Sequence, residues 1–223
     1  MIRTLLLLVT HSLIHLFAYC QTAEQAMIRQ GLVDVQQLDP SLLVELKYST
    51  TDNFIGKDVY GDLTRAYLQP MAARRLVQAN AYLKQKNPNL RLLVYDAARP
   101  RSVQWNLWNA LPQYAPGVRK TYVADPREGS IHNYGCAVDL TIATADGTPL
   151  DMGTKFDYFG ELAYPKAEEK LLKAGKLTRR QVENRRLLRE VMRRAGFSPI
   201  EYEWWHFNAL SRAEAKRQFK IVE

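Results

Sequence analysis

The residues best suited to chemistry are His132, Asp139, Glu203 and His206, which lie in two short stretches rich in polar and aromatic residues. Two imidazoles with one carboxylate form a ligand set of catalytic zinc sites, where three protein ligands leave one position open for water. A second carboxylate is then left over. A single histidine is more often packed and hydrogen-bonded than metal-bound. The pairing of His-x6-Asp with Glu-x-x-His nevertheless favours a metal site.

The first 20 residues have the pattern of a secretory signal peptide. Arg3 supplies a short positive region, and Thr4–Phe17 forms an apolar core that is too short for a convincing membrane span. Ala18-Tyr19-Cys20 places small residues at the −3 and −1 positions for cleavage before Gln21. The sequence therefore predicts an exported protein, periplasmic or secreted, with no stable membrane insertion after leader removal.

The leader also bears on the histidines. His11 and His15 lie within it, so His132 and His206 are the two that remain after cleavage. One alternative is a lipoprotein acylated at Cys20, although the bulky tyrosine before that cysteine favours a soluble protein. An uncleaved anchor is another alternative.

Composition indicates one ordinary globular domain. The chain has 223 residues, 47% of them hydrophobic and 24% charged, which suits a single core. The formal net charge is +8, and much of the excess lies between Lys166 and Arg194. That run also contains glutamates, so it is predicted to be the solvated face of a helix, with no nucleic-acid partner.

Cys136 would be the single cysteine after leader removal and could form no internal disulfide. A nucleophilic thiol beside His132 is conceivable. Burial as a small apolar side chain is the favoured interpretation.

Periodicity and turn residues predict a mixture of strands and helices without a repeating βαβ register. Strands are predicted at Leu42–Tyr48, Leu90–Tyr95, Cys136–Ile142 and Ile200–Phe207; helices are predicted from Pro70 through about Lys86, after a cap at Ser102, from Thr178 to Gly196, and after Ser211. This pattern favours an α+β fold over residues 21–223, with helices packed on a mostly antiparallel sheet. The loop at 50–61 is long enough to suggest that it covers a site.

Several motifs occur in an order that resembles the D-alanyl-D-alanine dipeptidases, the zinc D,D-dipeptidases of the vancomycin-resistance type. The matching segments are Lys47–Lys57, Asp96–Pro100, Ser130–Leu140, Met152–Asp157 and Glu203–Phe207. The resemblance implies a single-domain zinc D,D-peptidase fold of the hedgehog-like kind. It also implies one Zn²⁺ per chain, bound by His132, Asp139 and His206.

The same resemblance implies that Glu203 is the general base and acid and that Arg99 stabilises the tetrahedral intermediate. The residues themselves leave alternatives open. Glu203 could orient a metal ligand instead, Glu201 could take its place, and Arg99 could form an ordinary ion pair with Asp96. A regular strand would also place Glu203 and His206 on opposite faces, so a bulge or a strand end must intervene.

The resemblance places Tyr48 and Asp157 near the substrate ammonium and Ser130 near the substrate. Packing or capping roles would also suit these residues. Thr51 and Ala98 depart from the family, which often has a tryptophan and another aromatic residue there. The departures suggest a wider or differently shaped pocket.

The leading prediction is zinc-dependent hydrolysis of D-alanyl-D-alanine, or of similar D,D-dipeptides, to free D-amino acids. A murein D,D-carboxypeptidase or L,D-endopeptidase acting on cell-wall peptides is the second hypothesis. A non-catalytic zinc-binding module is the third. The sequence leaves the oligomeric state open, and wall turnover, D-alanine scavenging and antibiotic resistance all fit the same chemistry.

Overall fold

The computed structural model describes residues 22–223, so the predicted leader and Cys20 lie outside the described residues. The strands in this part of the chain are β1 (Val33–Asp34), β2 (Leu43–Val44), β3 (Tyr67–Leu68), β4 (Leu90–Asp96), β5 (Ala137–Thr144), β6 (Ser198–Pro199) and β7 (His206–Asn208). Five of them form one sheet in the order β2-β4-β5-β7-β6, and β1 pairs with β3. Only β2 and β4 are parallel within that sheet. The predicted α+β fold with a mostly antiparallel sheet is confirmed.

The helices between residues 22 and 223 differ greatly in length. They are α1 (Ala23–Arg29), α2 (Val35–Leu38), α3 (Pro70–Lys86), α4 (Arg101–Asn109), α5 (Pro116–Arg119), α6 (Glu168–Lys173), α7 (Arg179–Arg194) and α8 (Arg212–Gln218). Helix α3 packs on β4, and α7 packs on α3 and β5. No helix in this range has both the length and the apolar character required to cross a membrane.

Strands β4 and β5 separate the helical core from the rest of the molecule. Successive side chains of a strand point to opposite faces of the sheet. One face carries Leu92, Val94, Val138, Leu140 and Ile142 into the main core, together with apolar residues of α3 and α7. Asp139 alternates with these residues and therefore points to the opposite face. The sheet thus holds one polar side chain of β5 away from the helices and at a fixed position.

Several local predictions are confirmed. Helix α3 begins at Pro70, whose missing N–H is harmless in a first turn, and ends at Lys86. A reciprocal capping box of Thr178 and Gln181 begins α7. Another, of Ser211 and Glu214, begins α8. Gly196, with φ of 90°, directly follows the C-cap residue of α7.

The predicted strand Leu42–Tyr48 is wrong over most of its length. Strand β2 ends at Val44, and Lys47–Ser49 forms a 3₁₀ turn. Asn53 fixes this turn because its side-chain amide donates to the carbonyls of Lys47, Thr50 and Lys57 at 2.8–3.0 Å. These local side-chain hydrogen bonds override the alternating pattern.

The predicted strand Ile200–Phe207 is also mostly wrong, because β7 begins at His206 and residues 201–205 form bends. Glu203 therefore precedes the strand. Because the strand starts only at His206, the alternation of a strand does not force Glu203 and His206 onto opposite faces. The Ser102 cap is wrong as well. Helix α4 begins at Arg101, Pro100 occupies the N-cap position, and no side chain caps the helix.

The basic run is only partly a solvated face. Arg185 of α7 is fully buried, and Glu168 of α6 is 3% exposed. The burial of Arg185 follows from helical spacing, since it lies on the same face of α7 as Val182 and Leu188, which are buried. Cys136, in contrast, behaves as predicted: it is buried, and burial raises the pKa of its thiol to about 12.

Candidate active site

Asp139 and His206 are brought together by strand register. They are direct partners in the antiparallel pair of β5 and β7, so both side chains lie on the same face of the sheet. His206 Nδ1 lies 2.9 Å from Asp139 Oδ1. A slip of one residue would send one of the two side chains to the other face. The backbone ladder therefore determines this half of the site.

His132 enters from the 3₁₀ turn Ile131–Tyr134, which follows Ser130. Gly135 ends the turn with φ of 66°, and a Cβ there would lie 2.8 Å from Leu32 Cδ2. Glycine is therefore required both by the left-handed backbone and by the close packing. The turn directs His132 Nε2 to within 3.4 Å of Asp139 Oδ1.

The outer hydrogen bonds of the two imidazoles define their tautomers. His132 Nδ1 lies 2.7 Å from the Ala97 carbonyl oxygen, which can only accept, so Nδ1 carries the proton. His206 Nε2 lies 2.9 Å from Asn208 Oδ1 and donates to it. His132 Nε2 and His206 Nδ1 then face each other as lone pairs at 3.2 Å.

These atoms fit a metal ion. Ligand atoms of a tetrahedral zinc site lie about 3.3 Å apart, given zinc–ligand bonds of about 2.0–2.2 Å. The three facing atoms of His132, Asp139 and His206 all lie within 4.8 Å of one another. Burial alone would raise the pKa of Asp139, but the charge and hydrogen bonds that the adjacent imidazoles provide in their protonated form lower it. In their neutral tautomers the same imidazoles place two lone pairs beside this carboxylate, and a metal cation would take the place of the imidazole protons.

Glu203 lies beside this cluster. Its Oε2 is 3.8 Å from His206 Nδ1. Burial raises the pKa of Glu203 to about 7, and the charges of Asp139 and Asp157 act in the same direction. A carboxyl group with this pKa can both accept and return a proton near neutral pH. Glu201, the alternative, is exposed and lies 3.5 Å from Lys166 Nζ.

Arg99 is 7% exposed and borders the same cavity. Its Nε and Nη2 donate to Asp96 Oδ2 at 3.0 and 2.5 Å, so the ion pair with Asp96 exists. Its Nη2 also lies 3.8 Å from Asp139 Oδ2. Although burial by itself lowers the pKa of Arg99, the Asp96 charge raises it well above its ordinary value. Arg99 can therefore form its ion pair with Asp96 and border the cavity at the same time.

Asp157 and Tyr48 meet at the wall of the cavity. The Tyr48 hydroxyl donates to Asp157 Oδ1 at 3.1 Å. Asp157 has φ of 59°, and its Oδ2 is buried with no hydrogen-bond partner in the described part of the chain. Burial, followed by the charge of Asp139, raises the pKa of Asp157 to about 8. A backbone strain of this kind is found where surrounding structure fixes a side chain for function.

Ser130 has a capping role. Its hydroxyl accepts the His132 N–H at 3.3 Å, and its own N–H donates to Asn133 Oδ1 at 2.6 Å. The cavity of about 670 Å³ is bordered by all eight predicted site residues: Tyr48, Arg99, Ser130, His132, Asp139, Asp157, Glu203 and His206. Phe54 from the loop at 50–61 also lines it, whereas Thr51 and Ala98 do not.

This chain resembles known proteins along most of its length. A family model described as D-ala-D-ala dipeptidase matches residues 28–222. The chain belongs to this family. It is therefore a metallopeptidase.

Similar relatives are all described as D-alanyl-D-alanine dipeptidases. The protein of Escherichia coli (strain K12) is 35% identical over 182 residues, covering 79% of this chain and 83% of the relative. The protein of Enterococcus faecalis (strain ATCC 700802 / V583) is 30% identical over 212 residues, covering 87% and 99%. The protein of Enterococcus faecium is 32% identical over 180 residues, covering 73% and 83%.

Some residues around this dipeptidase-family site were missed from the sequence. Asn208 is two residues after His206, and period two on a strand could have placed it on the same face. Gln104 accepts from Arg99 Nη1 at 2.9 Å, and the Tyr60 hydroxyl donates to Asp96 Oδ1. Tyr60 and Asp96 are 36 residues apart in sequence, so no local pattern indicates their contact, and the contact of Gln104 with Arg99 depends on how helix α4 packs.

Proposed function

We propose that this protein hydrolyses D-alanyl-D-alanine, or similar D,D-dipeptides, to free D-amino acids with one Zn²⁺ per chain. The observation that carries the proposal is the convergence of two imidazole lone pairs and one carboxylate beside Glu203 and Arg99. Neither Glu203 nor Arg99 is needed merely to hold a metal, which argues against a non-catalytic zinc module. The family and its relatives support the substrate class.

His132 Nε2, Asp139 and His206 Nδ1 would hold the zinc ion. When bound, zinc polarises a peptide carbonyl and makes a water molecule acidic near neutral pH. The outer hydrogen bonds from His132 to Ala97 and from His206 to Asn208 keep both rings in the tautomers that a metal requires.

Glu203 would move the protons. Its carboxylate lies beside the cluster, so it would take a proton from the attacking water and then deliver it to the leaving amine. Arg99 would stabilise the negative charge that develops on the peptide carbonyl oxygen, because its guanidinium is fixed before the reaction begins. Asp157, with Tyr48, would bind the substrate ammonium through the unpartnered Oδ2. Ser130 would act indirectly by fixing the His132 turn, and it would also lie near the substrate because it borders the cavity.

We also propose that residues 1–20 are a cleaved leader and that residues 21–223, the catalytic domain, act outside the cytoplasm. The pattern of Arg3, the apolar core and the cleavage residues supports export. Edman sequencing of the secreted or periplasmic protein tests the cleavage site. A mature chain that still begins at Met1 would contradict it.

The decisive experiment measures D-alanine release from D-alanyl-D-alanine by the purified protein, with chelator and after zinc is restored. We expect release that chelator abolishes and zinc recovers. Glu203→Gln should bind zinc and release no D-alanine, whereas Glu201→Gln, the matched control, should behave like wild type. Cleavage of muropeptides without cleavage of the free dipeptide would favour the wall-peptide hypothesis. Zinc binding without either activity would favour the non-catalytic module.

A further inference from the structure

The guanidinium of Arg99 is held from two sides. Asp96 accepts from Nε and Nη2, and Gln104 Oε1 accepts from Nη1 at 2.9 Å. Gln104 lies on α4 and has no exposed surface. A buried amide that contacts a buried cation is costly to leave unpaired, so both of its ends must be satisfied.

The other end of Gln104 reaches a wall of the cavity. Its Nε2 donates to the Ala124 carbonyl at 2.9 Å. Ala124 belongs to the stretch 120–124, every residue of which borders the cavity. Gln104 therefore joins the guanidinium of Arg99 directly to the backbone of that wall.

We propose that Gln104 is a positioning residue, which fixes Arg99 and the wall at 120–124 relative to each other. This proposal rests on the role proposed above for Arg99. A guanidinium only donates, and a backbone carbonyl only accepts, so the connecting side chain must accept at one end and donate at the other. The primary amide of glutamine does both at this length, and an ionised glutamate or an apolar side chain does not.

The hydrogen-bond inventory explains what this positioning achieves. Arginine carries five N–H groups, of which Asp96 and Gln104 take three. One N–H each on Nη1 and Nη2 is left for the cavity. Holding the other side of the guanidinium at two points restricts rotation about the bonds that would turn these groups away. Preorganised donors of this kind stabilise a developing charge without rearranging during the reaction.

Gln104→Met tests the role, because methionine keeps nearly the same length and removes both hydrogen bonds. We expect kcat for D-alanyl-D-alanine to fall by about 10- to 100-fold with zinc content unchanged. Gln36→Met is the matched control, since Gln36 donates to the Leu42 carbonyl at 3.0 Å and lies outside the cavity lining. The control should keep wild-type kcat. A wild-type kcat in Gln104→Met would overturn the proposal.

A double-mutant cycle separates positioning from a general loss of structure. If Gln104 acts through Arg99, the substitution should have little further effect on the residual kcat of Arg99→Lys. Independent losses that multiply would contradict the proposal even if each variant were impaired.

Hydrogen exchange of the Arg99 side chain tests the positioning role without relying on catalysis. Gln104 accepts from Arg99 Nη1, so the Arg99 Nη1–H signal in ¹⁵N NMR should exchange with solvent more rapidly in Gln104→Met than in wild type or Gln36→Met. Unchanged exchange would overturn the positioning role. If wild-type protein releases no D-alanine, the proposed function fails, and the exchange measurement still decides whether Gln104 fixes Arg99.

Discussion

Two buried arginines, Arg99 and Arg185, show what surroundings do to the same side chain. Arg99 donates twice to the Asp96 carboxylate, and its pKa is raised well above the ordinary value. Arg185 donates to the carbonyls of Met152 and Leu162 at 2.6 and 2.9 Å. Burial lowers the pKa of Arg185 to about 10. The first cation is neutralised by a partner, and the second is held mainly by dipoles.

Competition for Glu168 explains the difference. Arg189 takes both oxygens of that carboxylate, at 2.8 and 2.5 Å, whereas Arg185 Nη1 lies 3.6 Å from the nearer one. Arg185 Nη1 has no hydrogen-bond partner among residues 22–223. Arg185 thus ties the segment at 152–162 to α7, and Arg99 keeps free donors at the cavity. The Asp96 carboxylate holds the far side of Arg99 and leaves its other N–H groups available to the cavity, whereas Glu168 lies 3.6 Å from Arg185 Nη1.

The largest effect should follow replacement of the cavity arginine. Arg99→Lys retains a positive charge but cannot keep the contacts to both Asp96 and Gln104. We expect kcat/KM for D-alanyl-D-alanine to fall by about 10²- to 10³-fold. Steady-state kinetics check this, with the exposed Arg74→Lys as control. Wild-type kinetics in Arg99→Lys would remove Arg99 from the reaction.

Replacement of the core arginine should instead reduce stability. Arg185→Met leaves the Met152 and Leu162 carbonyls without their donor, and we expect the free energy of unfolding to fall by about 2–4 kcal/mol. Urea denaturation measures this, and Arg186→Met, which alters an exposed pair with Glu169, is the control. The variant should also show a raised KM, because Asp157 lies in the loosened segment. If stability were unchanged, the assigned difference between the two arginines would be wrong.

Asp157, in the segment that Arg185 ties to α7, should make the free energy of unfolding depend on pH. The pKa of Asp157 is about 8 in the folded protein, against an ordinary value of 3.8. Between these values the folded state holds a proton that the unfolded state has released, so stability falls as pH rises toward 8. In metal-free protein, Asp157→Asn should remove this dependence and increase stability at pH 8 by on the order of 1–2 kcal/mol.

Urea denaturation of metal-free wild type and Asp157→Asn at several pH values measures that effect. The difference between them should shrink as the pH approaches 4. A difference that grew at acid pH would show that the Asp157 carboxylate is favoured in the fold rather than disfavoured.

The smallest effect should follow removal of the competitor. Arg189→Met frees the Glu168 carboxylate, which can then pair with Arg185 Nη1. One ion pair replaces another, so we expect the free energy of unfolding to change by less than about 1 kcal/mol. Thermal unfolding checks this, and the double variant Arg185→Met, Arg189→Met should be much less stable because Glu168 then lacks a cation.

The sequence predicted those parts of the site that lie in short motifs. His132 and Asp139 are seven residues apart, and the strand carrying Asp139 is strongly apolar, so its existence and face were readable. Helix α3 and the capping box at Thr178 were readable for the same local reason.

Features that depend on side-chain hydrogen bonds to backbone carbonyls are not predictable from the periodic pattern. The alternation at 42–48 predicts a strand through Tyr48, whereas the Asn53 side-chain amide, a few residues further on, donates to three carbonyls and holds a 3₁₀ turn. The charged pattern around Arg185 predicts a side chain in solvent, while its burial depends on the Met152 and Leu162 carbonyls. The contact of Gln104 with Arg99 is likewise set by how α4 packs.

The position of β7 has a consequence for the timing of activity during synthesis. This strand inserts between β5 and β6, and supplies His206, while Glu203 immediately precedes it. A ribosome adds residues in order, and the earlier parts of a chain fold first. His132 and Asp139 are therefore made some 70 residues before their partner. A nascent chain shorter than about 206 residues cannot assemble the cluster, so hydrolysis is withheld until the sheet is nearly complete.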